Sequence, residues 1–245
     1  MTEEFEIRRC NELPAGSEQV WDAVATGPGN LGWLYPMEIE PCEGGMVSGG
    51  LATVTVWDPP RRFALRHDGE DGLSVALEYR IEARDNGGSV LHTVVRRVHS
   101  GIVGDEWKTH TDAADKHTDF YHHTLEQYLR YFSGQSATYL EAHGPAAATR
   151  ANAFTVLRRQ LRLVDDVTQG DAVRLVLTGF DPLEAVVDYL SPLFIGLRTE
   201  DALYRFFGGN AWGWPVGLRH HLFARDVDRD KAEQAWQLWL DGVFA

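Results

Sequence analysis

Apolar and polar positions alternate from Leu73 to Glu82, with Ala76 the one apolar residue on the polar face. Leu73, Val75, Leu77, Tyr79 and Ile81 share one face, and Ser74, Glu78, Arg80 and Glu82 share the other. A period of two predicts a strand with one buried face. Asp85-Asn86-Gly87-Gly88 follows as a hairpin turn, and the segment from Ser89 to His99 is the returning strand. An earlier hairpin is predicted from Thr53-Val54-Thr55-Val56-Trp57, the turn Asp58-Pro59-Pro60, and Arg62 to Arg66. A first strand fits residues 5–10. Ser17 serves as an N-cap for a helix carrying Val20, Trp21, Val24 and Ala25, which Gly27-Pro28-Gly29-Asn30 brings to an end. The period then lengthens. Tyr121, Leu125, Tyr128, Leu129 and Phe132 form one continuous helical stripe, closed by Ser133-Gly134.

The remainder follows the same order in weaker form. A strand at 137–141, a helix at 153–163 and a strand at 172–177 precede Val186 to Phe194, which loosely echoes Val54 to Phe63. Residues 201–206 echo 75–81, residues 216–224 form a last strand, and Ala232, Trp236, Trp239 and Val243 mark a closing helix. Asp165-Asp166 reads as a turn. The expected class is α+β: a curved antiparallel sheet around a long C-terminal helix over residues 1–135, with a degenerate second repeat over 136–245.

Several segments resemble a known family. Val20-Trp21-Asp22-Ala23-Val24 with Leu31-Gly32-Trp33 resembles the opening of the SRPBCC superfamily. Val56-Trp57-Asp58-Pro59-Pro60-Arg61-Arg62-Phe63 and Gly87-Gly88-Ser89 leading to His99-Ser100-Gly101 resemble motifs of one branch, the homologues of the activator of the heat-shock-protein-90 ATPase. Phe120 to Phe132 resembles its closing helix. The resemblance implies a helix-grip fold with a hydrophobic cavity between sheet and helix. Members bind lipids, polyketides or hormones, and some are polyketide aromatase/cyclases.

Composition narrows the functions. The 36 acidic against 23 basic residues give a net charge of −13, which disfavours nucleic acid and anionic membranes. The acidic start, Met-Thr-Glu-Glu-Phe-Glu, lacks the parts of a signal peptide, no apolar run is long enough for membrane insertion, and the cytoplasm is the expected compartment. Two cysteines, Cys10 and Cys42, write neither a disulfide framework nor a thiolate metal site. No phosphate loop, dinucleotide fingerprint or nucleophile elbow is present. No cofactor and no metal are expected.

The candidate pocket takes Trp57, Phe63, Leu65, Val75, Leu77 and Tyr79 from the sheet, Trp33 and Tyr35 from the mouth, and Tyr121, His122, Leu125 and Tyr128 from the long helix. Tyrosine and tryptophan offer apolar area with one polar handle. The same residues would equally fill a closed core. Among the clustered histidines, His122 falls about 75° from the stripe centre and His123 almost opposite it. Asp119 stands where it could orient either. Arg61-Arg62 and Arg96-Arg97 could bind an anion, yet they alternate in strands, and against so many acids salt-bridging at the surface is expected. His220 and His221 point to opposite faces of a strand.

No catalytic set is assembled, so no catalytic residue is assigned. The expected function is binding of a small hydrophobic molecule. A polyketide aromatase/cyclase-like enzyme and a chaperone-associated interaction module are the alternatives. A shorter second repeat without a cavity would cover the first domain's open end or build a homodimer.

Overall fold

The computed structural model describes residues 2–69, 72–101, 104–163 and 166–245. The expected turn at Asp165 lies outside them. The chain divides into two compact units, Met1–Ser136 and Ala137–Ala245.

Unit 1 is one six-stranded antiparallel sheet and three helices. Strand β1 (Thr2–Leu13) leads into α1 (Ser17–Ala25) and the single turn α2 (Gly27–Asn30). Then come β2 (Met46–Val47), β3 (Ala52–Asp58), β4 (Arg62–Asp68), β5 (Leu73–Ala83) and β6 (Ser89–Ser100), and finally the 27-residue α3 (Asp105–Tyr131). The strand order β1-β6-β5-β4-β3-β2 is a meander whose last strand pairs back onto the first. This is the helix-grip arrangement.

Local chemistry sets the entry to α1 differently from the sequence expectation. Gly16, not Ser17, is the N-cap, and its N–H donates to the Gln19 side chain at 3.2 Å. The glycine-proline segment does end α1, yet it also forms α2, because Thr26 Oγ1 accepts from Gly29 N–H at 3.0 Å. A Cβ on Gly29 would stand 1.9 Å from the Asp22 carbonyl, so the two helices abut through a glycine.

A bulge in β3 decides which side chains face inward. Val54 pairs with Leu65 and Trp57 with Phe63, leaving Thr55 as the extra residue. Val54 and Trp57, three apart, thereby reach the same face, which strict alternation forbids.

Unit 2 has the same topology. Strands β7 (Thr138–His143), β8 (Ala172–Leu175), β9 (Leu183–Leu190), β10 (Phe194–Arg198), β11 (Ala202–Phe207) and β12 (Gly217–Leu222) order as β7-β12-β11-β10-β9-β8. Helix α4 (Ala153–Gln160) follows β7, and α5 (Arg229–Val243) closes the unit. The two segments that echo unit 1, 186–194 and 201–206, lie in the β9–β10 hairpin and in β11, the places of the β3–β4 hairpin and β5. The core centres on Trp236, whose ring lies 4.5 Å from His220 and 5.5 Å from Trp239. A bulge recurs in β9, where Asp188 is the extra residue and accepts both arms of the Arg205 guanidinium at 3.0 and 2.9 Å. Trp236 and Trp239 are buried, whereas Trp214 is at the surface.

Candidate functional site

Between the sheet of unit 1 and the middle of α3 lies a cavity of about 590 Å³. Its walls follow from two periodicities. On β5 the alternation turns Val75, Leu77 and Tyr79 inward, and on β6 it turns Thr93, Val95 and Arg97 inward. On α3, Ala114, Thr118 and Tyr121 share one face with His117 and His122 beside it. The segment 33–52 supplies the rim, where Tyr35 is 46% and Leu51 67% exposed.

Eight of the twelve expected residues stand on this wall: Trp33, Tyr35, Leu65, Val75, Leu77, Tyr79, Tyr121 and His122. The other four do not. Trp57 and Phe63 are taken up by Trp21 of α1, with Trp21–Trp57 ring centres 5.0 Å apart and Trp57–Phe63 5.8 Å apart. This edge-to-face cluster forms a floor, and Tyr79, stacked on Phe63 at 6.5 Å, is its last member toward the cavity. On the helix, Leu125 is fully buried in packing below the cavity. Tyr128 lies over Gly32, where a Cβ would come within 2.3 Å of its ring. The sequence stripe was continuous, but α1 fills the space opposite its second half, so only the first half meets an empty volume.

The polar groups on the wall are few and specific. His122 is 5% exposed, and its Nε2 lies 3.1 Å from the Thr93 hydroxyl. Burial pushes its pKa down to about 4, against an upward pull from Asp119, so the ring is neutral near pH 7. Asp119 does not orient it: that carboxylate accepts from Arg9 Nε at 2.5 Å, and Asp115 accepts from Arg9 at 2.8 Å. Those bonds tie β1 to α3. His123, expected to face solvent, is half-buried. Burial raises the Tyr79 phenol, keeping it protonated. Trp33 is fixed by its indole N–H donating to the Ala23 carbonyl at 2.9 Å. His117 Nδ1 donates to the Ala113 carbonyl at 2.7 Å.

Arg97 corrects the sequence reading most sharply. Arg61, Arg62 and Arg96 do form surface salt bridges, with Asp58, Glu78 and Glu6. Arg97 instead faces the cavity. The signal was present in its parity with Leu91, Thr93 and Val95. In unit 2, His220 and His221 do point apart: His220 is buried against Trp236, and His221 lies against Tyr139. Among the described residues, no group of three or more His, Cys, Asp or Glu could hold a metal ion, and no helix is long and apolar enough to cross a membrane.

No family model and no curated protein matches the chain. Solved structures similar to it include an uncharacterised protein from Rhizobium leguminosarum, 17% identical, covering 53% of this chain and 97% of its own, with a TM-score of 0.42. Ara h 8.0201 is 17% identical over 52% of this chain and 99% of its own, at a TM-score of 0.41. DynU16, from the dynemicin biosynthetic locus, is 13% identical over 97% of this chain and 96% of its own, at a TM-score of 0.42.

Proposed function

We propose that unit 1 binds a small hydrophobic molecule in the cavity between its sheet and α3. The observation that carries this is the empty volume itself. About 590 Å³ lies within the range that small-molecule pockets occupy, and it is walled by leucine, valine, tyrosine and tryptophan with a few convergent polar groups. A chain that could close its core around such side chains gains several kcal/mol by doing so, and an apolar void forfeits that gain. Binding is the use that explains why the void is kept.

A second reading, an enzyme of the aromatase/cyclase kind, is favoured by one observation. The Thr93–His122 pair and the Tyr79 ring all stand on the wall rather than behind it. A neutral imidazole and a phenol there would hold and pass protons on a bound polyketide. His122→Phe would then abolish turnover while leaving binding within a few-fold.

The binding reading is tested with N-phenylnaphthylamine, whose fluorescence rises in apolar sites. Wild-type protein is expected to bind it at micromolar concentration, and Leu77→Trp, which fills the cavity, to lose it. Equal fluorescence with both proteins would overturn the proposal.

A further inference from the structure

Arg97 sits on the inner face of β6, opposite Phe5 of β1 and Val75 of β5. Its Nε is buried without a hydrogen-bond partner, and among the described residues no carboxylate bridges to its guanidinium. Every other arginine of unit 1 stands in a salt bridge. The exception does not arise from a shortage of partners, because the chain carries 36 acidic against 23 basic residues. Burial works against the charge, pushing the group below its ordinary value. A half-buried cation turned toward an apolar cavity, with no carboxylate partner among the described residues, carries a desolvation cost and does nothing for the empty protein.

Resting on the binding reading above, we infer that the cavity's ligand is an amphiphilic organic anion, whose carboxylate-type oxyanion is taken by Arg97. A guanidinium presents two parallel N–H donors that match such a group, and the pairing is strongest where water is excluded. The geometry also sets the ligand's length. Thr93 and Arg97 are four residues apart on one strand, which separates them by about 13 Å. Val95, Leu77 and Tyr121 line the interval. The ligand is therefore an apolar body of about that length, with an anionic group at one end. At the other end a hydroxyl or carbonyl meets the Thr93–His122 pair.

Two probes that share one aromatic body separate the claims. Anilinonaphthalene sulfonate carries an anion, and N-phenylnaphthylamine lacks it. The full chain is titrated with each, as wild type, Arg97→Met, Arg97→Gln and Arg97→Lys, counting only signal that Leu77→Trp removes. Arg97→Met and Arg97→Gln are expected to weaken the sulfonate at least tenfold and change the neutral probe by less than about twofold. Arg97→Lys should recover part of the loss. The empty Arg97→Met protein should melt higher than wild type. If both probes weaken equally, or the sulfonate is unaffected, the role of Arg97 is overturned while the cavity stands. If neither probe binds wild-type protein, the cavity reading falls and the anion site with it.

Discussion

A buried neutral histidine makes stability depend on pH in a definite direction. His122 is held at about 4 and His220 at about 3, both by burial, against 6.5 for the unburied group. Between pH 6.5 and 4 the unfolded chain binds protons that the folded chain refuses, so stability is fully present above pH 6.5 and falls as the pH drops. The slope is at most about 1.4 kcal/mol per pH unit for each histidine. His122→Gln, which can still bond Thr93, is expected to flatten the melting temperature of unit 1 across that window. Parallel pH–melting curves for variant and wild type would show that His122 titrates normally. At the same scale, Trp236→Ala removes the ring that touches Phe180, Tyr204, Phe206, His220 and Trp239. A loss of about 3 to 5 kcal/mol from unit 2 in denaturant titration is expected. A loss below about 1 kcal/mol would contradict the packing described.

The elements divide unit 1 into a packed half and an open half. Helix α1 brings Trp21 against Trp57 and Phe63, and α2 leads to Gly32 beneath Tyr128. Gly32→Ala places a methyl in that ring, so a drop of about 1 to 3 kcal/mol in stability is expected, read by chemical denaturation. No change would mean that the ring is not seated there. This division also explains what the sequence could and could not disclose. The alternation at 73–82 keeps a period of two, so the inward placement of Val75, Leu77 and Tyr79 is legible in the sequence. Strict alternation from Val54 would turn Trp57 to the opposite face, and the bulge at Thr55 that brings it inward leaves no mark in the pattern. Its exclusion from the wall depends on Trp21, a contact 36 residues distant in sequence. For Arg96-Arg97 the abundance of acids favours surface salt bridges over anion binding, which holds for Arg96 and not for Arg97. Parity with Thr93 and Val95 carried the opposite message. Leu125 and Tyr128 belong to the same stripe as Tyr121, and a helical period contains no information about which stretch of it will face a void.

Across the whole molecule, two units carry the same strand order, first strand against last, with helices after the first strand and at the end. The order could be anticipated from the echoes at 186–194 and 201–206, although similarity that loose does not specify register. Net charge acts at this scale too. At −13 the protein repels anions at long range, while Arg97 attracts them at contact. Added salt screens the repulsion. The association rate of anilinonaphthalene sulfonate should therefore rise with ionic strength in stopped-flow mixing, and that of N-phenylnaphthylamine should stay flat. A rate that falls with salt would place the anion site in a basic region, contrary to this account.

The central claim is that the cavity of unit 1 holds a small molecule. Mass spectrometry of the gently purified 27.5 kDa chain, native against denatured, tests it most directly. A native mass exceeding the bare chain by one small organic molecule is expected, lost on denaturation and absent from Leu77→Trp. The same added mass on Leu77→Trp as on wild type would contradict it.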